Sequence, residues 1–173
     1  METDVPPDVA HSLDAPHRIP PVRGHYDGLF RAFRNLVRNA VEAARDAAED
    51  AAEDAEDAAE DAAEDAAEDA GPDAGPWVGA TVSVEPGDGV SEGNPWVVVR
   101  IEDNGGGLPE GAAHRIFEPD FTTKTRGTGL GLALVRQAVT GDGGTVAAES
   151  RDGGAAFIVR LPAVADTAPD PRE

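Results

Sequence analysis

Trp96-Val-Val-Val-Arg-Ile-Glu-Asp103-Asn-Gly105-Gly-Gly107 is the stretch on which the reading of this chain turns. Its run of valine and isoleucine predicts a strand over 96–101, because β-branched side chains suit a pleated surface. That strand leads into an acidic residue and three glycines, where no regular element continues. A carboxylate at a strand end can accept a hydrogen bond from the amino group of adenine, which separates adenine from guanine. Glycines let a backbone approach a flat base with no Cβ in the way. Asp-Asn-Gly alone is an ordinary turn, so the weight comes from three further fragments.

The first lies upstream. From Tyr26, residues Leu29, Phe30, Phe33, Leu36, Val37, Ala40, Val41 and Ala44 recur at helical spacing and give one apolar face, with Asp27 as the expected N-cap. This helix carries Asn35-Leu-Val-Arg-Asn39-Ala. Asn35 and Asn39 are four apart and share a face. Their amide oxygens are hard donors suited to magnesium, which keeps several waters and takes its other ligands from phosphates.

The second fragment, Gly127-Thr-Gly-Leu-Gly131, opens a helix predicted over 128–140 with Leu130, Leu134, Val135 and Val139 as its apolar face. Unpaired amides at a helix start and the positive end of the dipole form an anion site. Gly127, Thr128, Gly129, Leu130 and Gly131 are its candidates, and the Thr128 hydroxyl adds a donor. The third fragment, Phe121-Thr-Thr-Lys124, stands just before it. Lys124, the only lysine in the chain, and Arg126 can supply positive charge to the outer phosphates. A dinucleotide-binding glycine turn must follow a strand directly, whereas a loop precedes this one. A P-loop fails as well, because no Lys-Ser/Thr pair ends the run. Residues 116–123 mix apolar and loop-forming types and read as a lid over the nucleotide, with Phe117 and Phe121 either anchoring it or belonging to the core.

The remaining elements complete the architecture. Strands are expected at 77–84, 145–149 and 155–161, the last two forming a hairpin across Asp152-Gly-Gly154. A short helix is expected over 109–116. The predicted fold is a two-layer α/β sandwich, with helices on one face of a mixed, mostly antiparallel sheet. Residues 1–24, rich in proline, are expected to be an extended arm without regular structure. Residues 25–162 form the domain, interrupted by an acidic insert at 46–73, and 163–173 are expected to be a disordered tail.

The net charge of −20 is concentrated in that insert. Residues 46–73 hold 14 acids and no bases, so the rest of the chain has 20 acids against 14 bases and a net charge of −6. Alanine favours helix there, but acids four apart repel and no large apolar residue is available for burial. The insert reads as a solvated spacer. Such acidity speaks against binding nucleic acid or an anionic membrane. No apolar run approaches the roughly 20 residues needed to cross a bilayer, and the first residues lack a secretory pattern. A cytoplasmic location follows as the default. Having no cysteine excludes disulfides and thiolate zinc sites.

Taken together, the fragments resemble the ATP-binding catalytic domain of sensor histidine kinases, within the superfamily that includes gyrase B, Hsp90 and MutL. Asn35 to Ala40 is similar to its N box, Asp103 to Pro109 to its G1 box, Phe117 to Phe121 to its F box and Gly127 to Gly131 to its G2 box. Asn39-Ala-Val-Glu-Ala and Phe121-Thr-Thr-Lys124 resemble nitrogen-regulation-type kinases. The resemblance implies a Bergerat-type fold, ATP and Mg2+ as ligands, Asn39 with Asn35 at the metal, and Asp103, Gly105 and Gly107 at the base. It makes Asn35 and Lys124 the candidate catalytic positions. Related hydrolases carry a glutamate general base where Asn35 stands, so the resemblance implies phosphoryl transfer to a histidine rather than steady hydrolysis.

Three features depart from that pattern. No dimerisation helices with a phosphoacceptor histidine precede the domain, and His11, His17, His25 and His114 lack the acceptor setting. Asp120 replaces an aromatic or apolar F-box residue, and Gly141-Asp142 lengthens the turn before Gly143. The expected partners are a histidine-containing dimerisation domain, supplied in trans or by an upstream segment, and through it a response-regulator receiver domain. The isolated chain is expected to be a monomer. The alternative is a non-catalytic ATP-binding module that regulates a partner through lid closure.

Overall fold

A computed structural model describes residues 5–61, 75–87, 94–122, 129–151 and 153–164. Five strands, β1 (Ala10–Asp14), β2 (Trp77–Glu85), β3 (Trp96–Asp103), β4 (Thr145–Arg151) and β5 (Gly154–Pro162), form one sheet in the order β1-β2-β3-β5-β4. Only β1 pairs in parallel with its neighbour; the other three pairings are antiparallel. Two helices, α1 (Tyr26–Asp61) and α2 (Gly131–Gly141), contact each other and the sheet.

Alternation along the central strands decides which face the helices cover. Val99 and Ile101 of β3, with Ala155, Phe157, Val159 and Leu161 of β5, join the core that includes Leu36 and Ala40 of α1 and Val135 and Val139 of α2. The intervening Trp96, Val98 and Ile158 form a small separate cluster. On α1, Ala32, Leu36, Ala40 and Ala44 recur every four residues and are all buried, so small side chains let the helix lie close to the sheet. The α/β sandwich read from the sequence is the architecture found.

Several local expectations require correction. Residues 10–14, assigned to an arm without regular structure, make a full edge strand on β2. The prolines at 6–7 and 16 flank that strand rather than interrupt it, so the ladder loses no donor. Val22 bridges to Ala163, and Val164 donates its amide to the Pro21 carbonyl at 2.9 Å, so arm and tail hold each other. Residues 165–173 lie outside the described residues.

The first helix begins two residues early, at Tyr26, which places Asp27 in its first turn rather than at its cap. Its opening is held from afar. The Asp142 carboxylate accepts the His25 backbone amide at 2.9 Å and lies 2.7 Å from His25 Nδ1. The same helix runs on through the acidic repeat to Asp61. Arg45 anchors the point of departure, clasping the Asp8 carboxylate through Nε at 2.9 Å and Nη2 at 2.6 Å.

The second helix starts at Gly131, not Thr128, and buries Val135 and Val139 while Leu130 and Leu134 are exposed. In place of a helix over 109–116 there is one 3₁₀ turn at Arg115–Phe117. No helix among the described residues is long and apolar enough to cross a membrane.

Candidate functional site

The strand β3 delivers Asp103 to the rim of the sheet. Asp103 is the one charged residue buried as a whole among the described residues, at 4% exposure. Its Oδ1 accepts the Gly105 amide at 3.0 Å and the Ala155 amide at 3.3 Å. Neither bond uses Oδ2, and this is the oxygen that could accept from a base. Burial raises the Asp103 carboxyl above its ordinary value, against the two amide bonds that favour the charged form. A buried carboxylate held this way resists rotation and discriminates strongly, because an unmatched partner would leave it without a donor.

The glycines that follow have separate reasons. A Cβ on Gly105 would lie 2.6 Å from the Ala43 carbonyl oxygen of α1, so this position is glycine because helix and loop touch. Gly107 has φ +77°, and its Cβ would meet Ser150 Oγ at 2.9 Å. Gly106 has open space around it. Asn104 ties the loop to the sheet: its Oδ1 accepts the Trp77 amide at 2.7 Å and its Nδ2 donates to the Gly75 carbonyl at 2.9 Å. Leu108 donates its amide to Ser150 Oγ at 3.2 Å. The sequence reading gave no contact to Ala43 or Ser150, which are ordinary residue types whose role lies in a contact across the fold.

Helix α1 places Asn35 and Asn39 half-buried on one side, one turn apart. The Asn35 Oδ1 is engaged, accepting Arg38 Nη2 at 3.2 Å. Asn39 makes no side-chain hydrogen bond to another described residue, so its amide oxygen is unspent. That fits a hard cation held through one protein oxygen and waters. Among the described residues no cluster of three or more His, Cys, Asp or Glu could hold a metal instead.

Gly129 and Leu130 lead into helix α2 at Gly131. Gly129 has φ +65°, and a Cβ there would lie 2.5 Å from the Asp120 carbonyl carbon, so the two backbones meet at this point. Asp120 itself takes φ +67°, a conformation aspartate accepts more readily than an aromatic residue. Its presence in the F box therefore suits the local backbone. Phe117 is buried in the core with its ring edge-on to Phe157, whereas Phe121 is half-buried under the Arg115 guanidinium at 5.6 Å. Phe117 thus belongs to the core, and Phe121 packs against its edge. Lys124, Arg126, Gly127 and Thr128 lie outside the described residues.

The model of the family described as "Histidine kinase-, DNA gyrase B-, and HSP90-like ATPase" matches residues 24–165. The chain belongs to that family. Among curated relatives, the two-component sensor PprA of Pseudomonas aeruginosa is 47% identical over 72 residues, which make up 40% of this chain and 8% of PprA. The sensory histidine kinase/phosphatase NtrB of Rhizobium meliloti is 43% identical over 70 residues, 40% of this chain and 18% of NtrB. The ATP-binding domain of PrrB from Mycobacterium tuberculosis has the same fold, with a TM-score of 0.55 at 28% identity, covering 91% of this chain and 82% of that one. The chain thus spans under a fifth of either curated relative. As a member of this family, it is a nucleotide-binding domain similar to the catalytic domains of sensor histidine kinases, those of the nitrogen-regulation type included.

Proposed function

We propose that this domain binds Mg-ATP and passes the γ-phosphoryl group to a histidine on a separate dimerisation domain, from which a response-regulator receiver domain would take it. The observation that carries the reading is Asp103, a buried carboxylate with one oxygen pinned by two amides and the other left for an adenine amino group. Gly105 and Gly107 let the loop approach the base. Asn39 holds the metal, which screens charge between the phosphates. Gly129, Leu130 and Gly131, with Lys124, Arg126, Gly127 and Thr128 before them, take the phosphates. Phosphoryl transfer of this kind depends on positioning and charge neutralisation, and no carboxylate stands at Asn35 to activate water.

The transfer breaks the bond between the γ-phosphorus and its bridging oxygen, forms a bond to an imidazole nitrogen, and leaves ADP. It takes place in the cytoplasm, where both ATP and the receiver domain are found. The test mixes the full chain with radiolabelled Mg-ATP and a separately purified dimerisation domain of an NtrB-type kinase. Acid-labile, base-stable label on that domain supports transfer. ATP binding with no label on the histidine would favour a module that regulates its partner through lid closure.

A further inference from the structure

Arg38 joins two parts of the site that the motifs treat separately. Its Nη2 donates to Asn35 Oδ1 at 3.2 Å, and a Cβ placed on Gly131, the first residue of α2, would lie 4.0 Å from the same nitrogen. The guanidinium therefore sits against the start of a helix whose first amides have no partner within the helix. A guanidinium and the positive end of a helix brought this near repel unless an anion lies between them. The one carboxylate paired with Arg38 among the described residues is Glu42, at 3.8 Å from Nε and beyond hydrogen-bond distance, and Nη1 is left without a carboxylate. With a side chain 60% exposed and five donors, Arg38 keeps a free edge of its fork for a phosphate.

The same bond bears on Asn35. Were its Oδ1 to ligate magnesium, the metal would sit beside a guanidinium, an arrangement of like charges that disfavours both. Asn39, one turn on, has its oxygen unspent. We infer that Arg38 is a phosphate-binding residue of the nucleotide site and that Asn35 steers it there. This rests on the nucleotide reading above and adds a cation to it that comes from the helix rather than from the lid.

Calorimetry on the full chain, with Mg-ATP and with adenosine, tests the assignment. Losing a charge-assisted contact, Arg38→Ala weakens Mg-ATP by about ten- to a hundredfold and leaves adenosine unchanged. Arg38→Lys recovers part of the loss, since it restores charge without the fork. Asn35→Ala weakens Mg-ATP less and has no further effect once Arg38 is alanine. The Mg2+ concentration for half-maximal ATP binding stays as in the wild type for Asn35→Ala and rises for Asn39→Ala. The inference is overturned if Arg38→Ala binds Mg-ATP normally, or if it loses adenosine in equal measure. It is also overturned if Asn35→Ala raises the Mg2+ requirement as Asn39→Ala does. Wild-type protein that binds neither ligand contradicts the nucleotide reading itself, a separate outcome.

Discussion

Replacing Gly105 by alanine sets a methyl group against the middle of α1. The new Cβ would lie 2.6 Å from the Ala43 carbonyl oxygen, 2.7 Å from its carbon and 2.8 Å from the Ala43 Cβ. Restoring an ordinary contact of 3.4 Å requires loop and helix to part by about 0.8 Å, the difference between those separations. The obstructing atoms are backbone inside a helix whose buried face is packed on the sheet, so no side chain can simply swing aside. Overpacking of this kind destabilises by about 1–3 kcal/mol. For a domain of this size that is a fall of roughly 2–12 °C in Tm. The displacement also moves the Asp103 loop relative to Asn39, which weakens nucleotide binding and shrinks the rise in Tm that saturating Mg-ADP produces. Thermal melts of Gly105→Ala and Gly106→Ala, each with and without Mg-ADP, separate the effect from any loss of backbone freedom, because Gly106 has nothing within 4 Å. The reasoning fails if Gly105→Ala melts with the wild type, or if Gly106→Ala falls as far.

Two further perturbations follow from the buried and capping carboxylates. Asp142→Ala removes the acceptor that His25 uses at the start of α1, and should lower unfolding free energy by about 0.5–2 kcal/mol in urea titrations at neutral pH. The hydrogen bonds from His25 hold the Asp142 carboxyl below its ordinary value. That stabilisation is present above the ordinary carboxylate range and disappears as pH falls through the depressed value, so wild type and mutant should converge in acid. Asp103 has the opposite sign. Its carboxyl is raised by burial, so the folded state holds the proton more tightly and apo stability declines as pH rises from the ordinary value through the raised one. Asp103→Asn keeps an oxygen for the two amides and removes this decline. The difference in urea midpoint between mutant and wild type should therefore move in the mutant's favour as pH rises through that interval.

The parts of the fold that could be read in advance are those with a hydrophobic period. The valine-rich β3 and the four-residue spacing of Ala32, Leu36, Ala40 and Ala44 announce burial because burial chose them. Strand β1 carried no such mark. All five of its side chains are exposed, and it is held by main-chain pairing to β2, which any residue but proline can make. The start of α1 was misplaced because its cap comes from a residue 117 positions away. Leu130 and Leu134 share a helical stripe as apolar as that of Val135 and Val139, so composition could not say which one faces the core. In the site, Asp103 and its glycines were legible because strand end, carboxylate and turn are all local. Arg38 lay in plain sight within the Asn35–Asn39 fragment, but its significance depends on Gly131 approaching from the other helix.

The account stands on Asp103 as the group that reads the purine. Isothermal calorimetry of ATP and GTP on the wild type and on Asp103→Asn measures this directly. Wild-type protein should prefer ATP by a factor of about ten to a hundred, the worth of one hydrogen bond to a charged group, and the mutant should lose most of that preference by binding ATP more weakly. Equal affinity for the two nucleotides in the wild type, or an unchanged preference in the mutant, would contradict it.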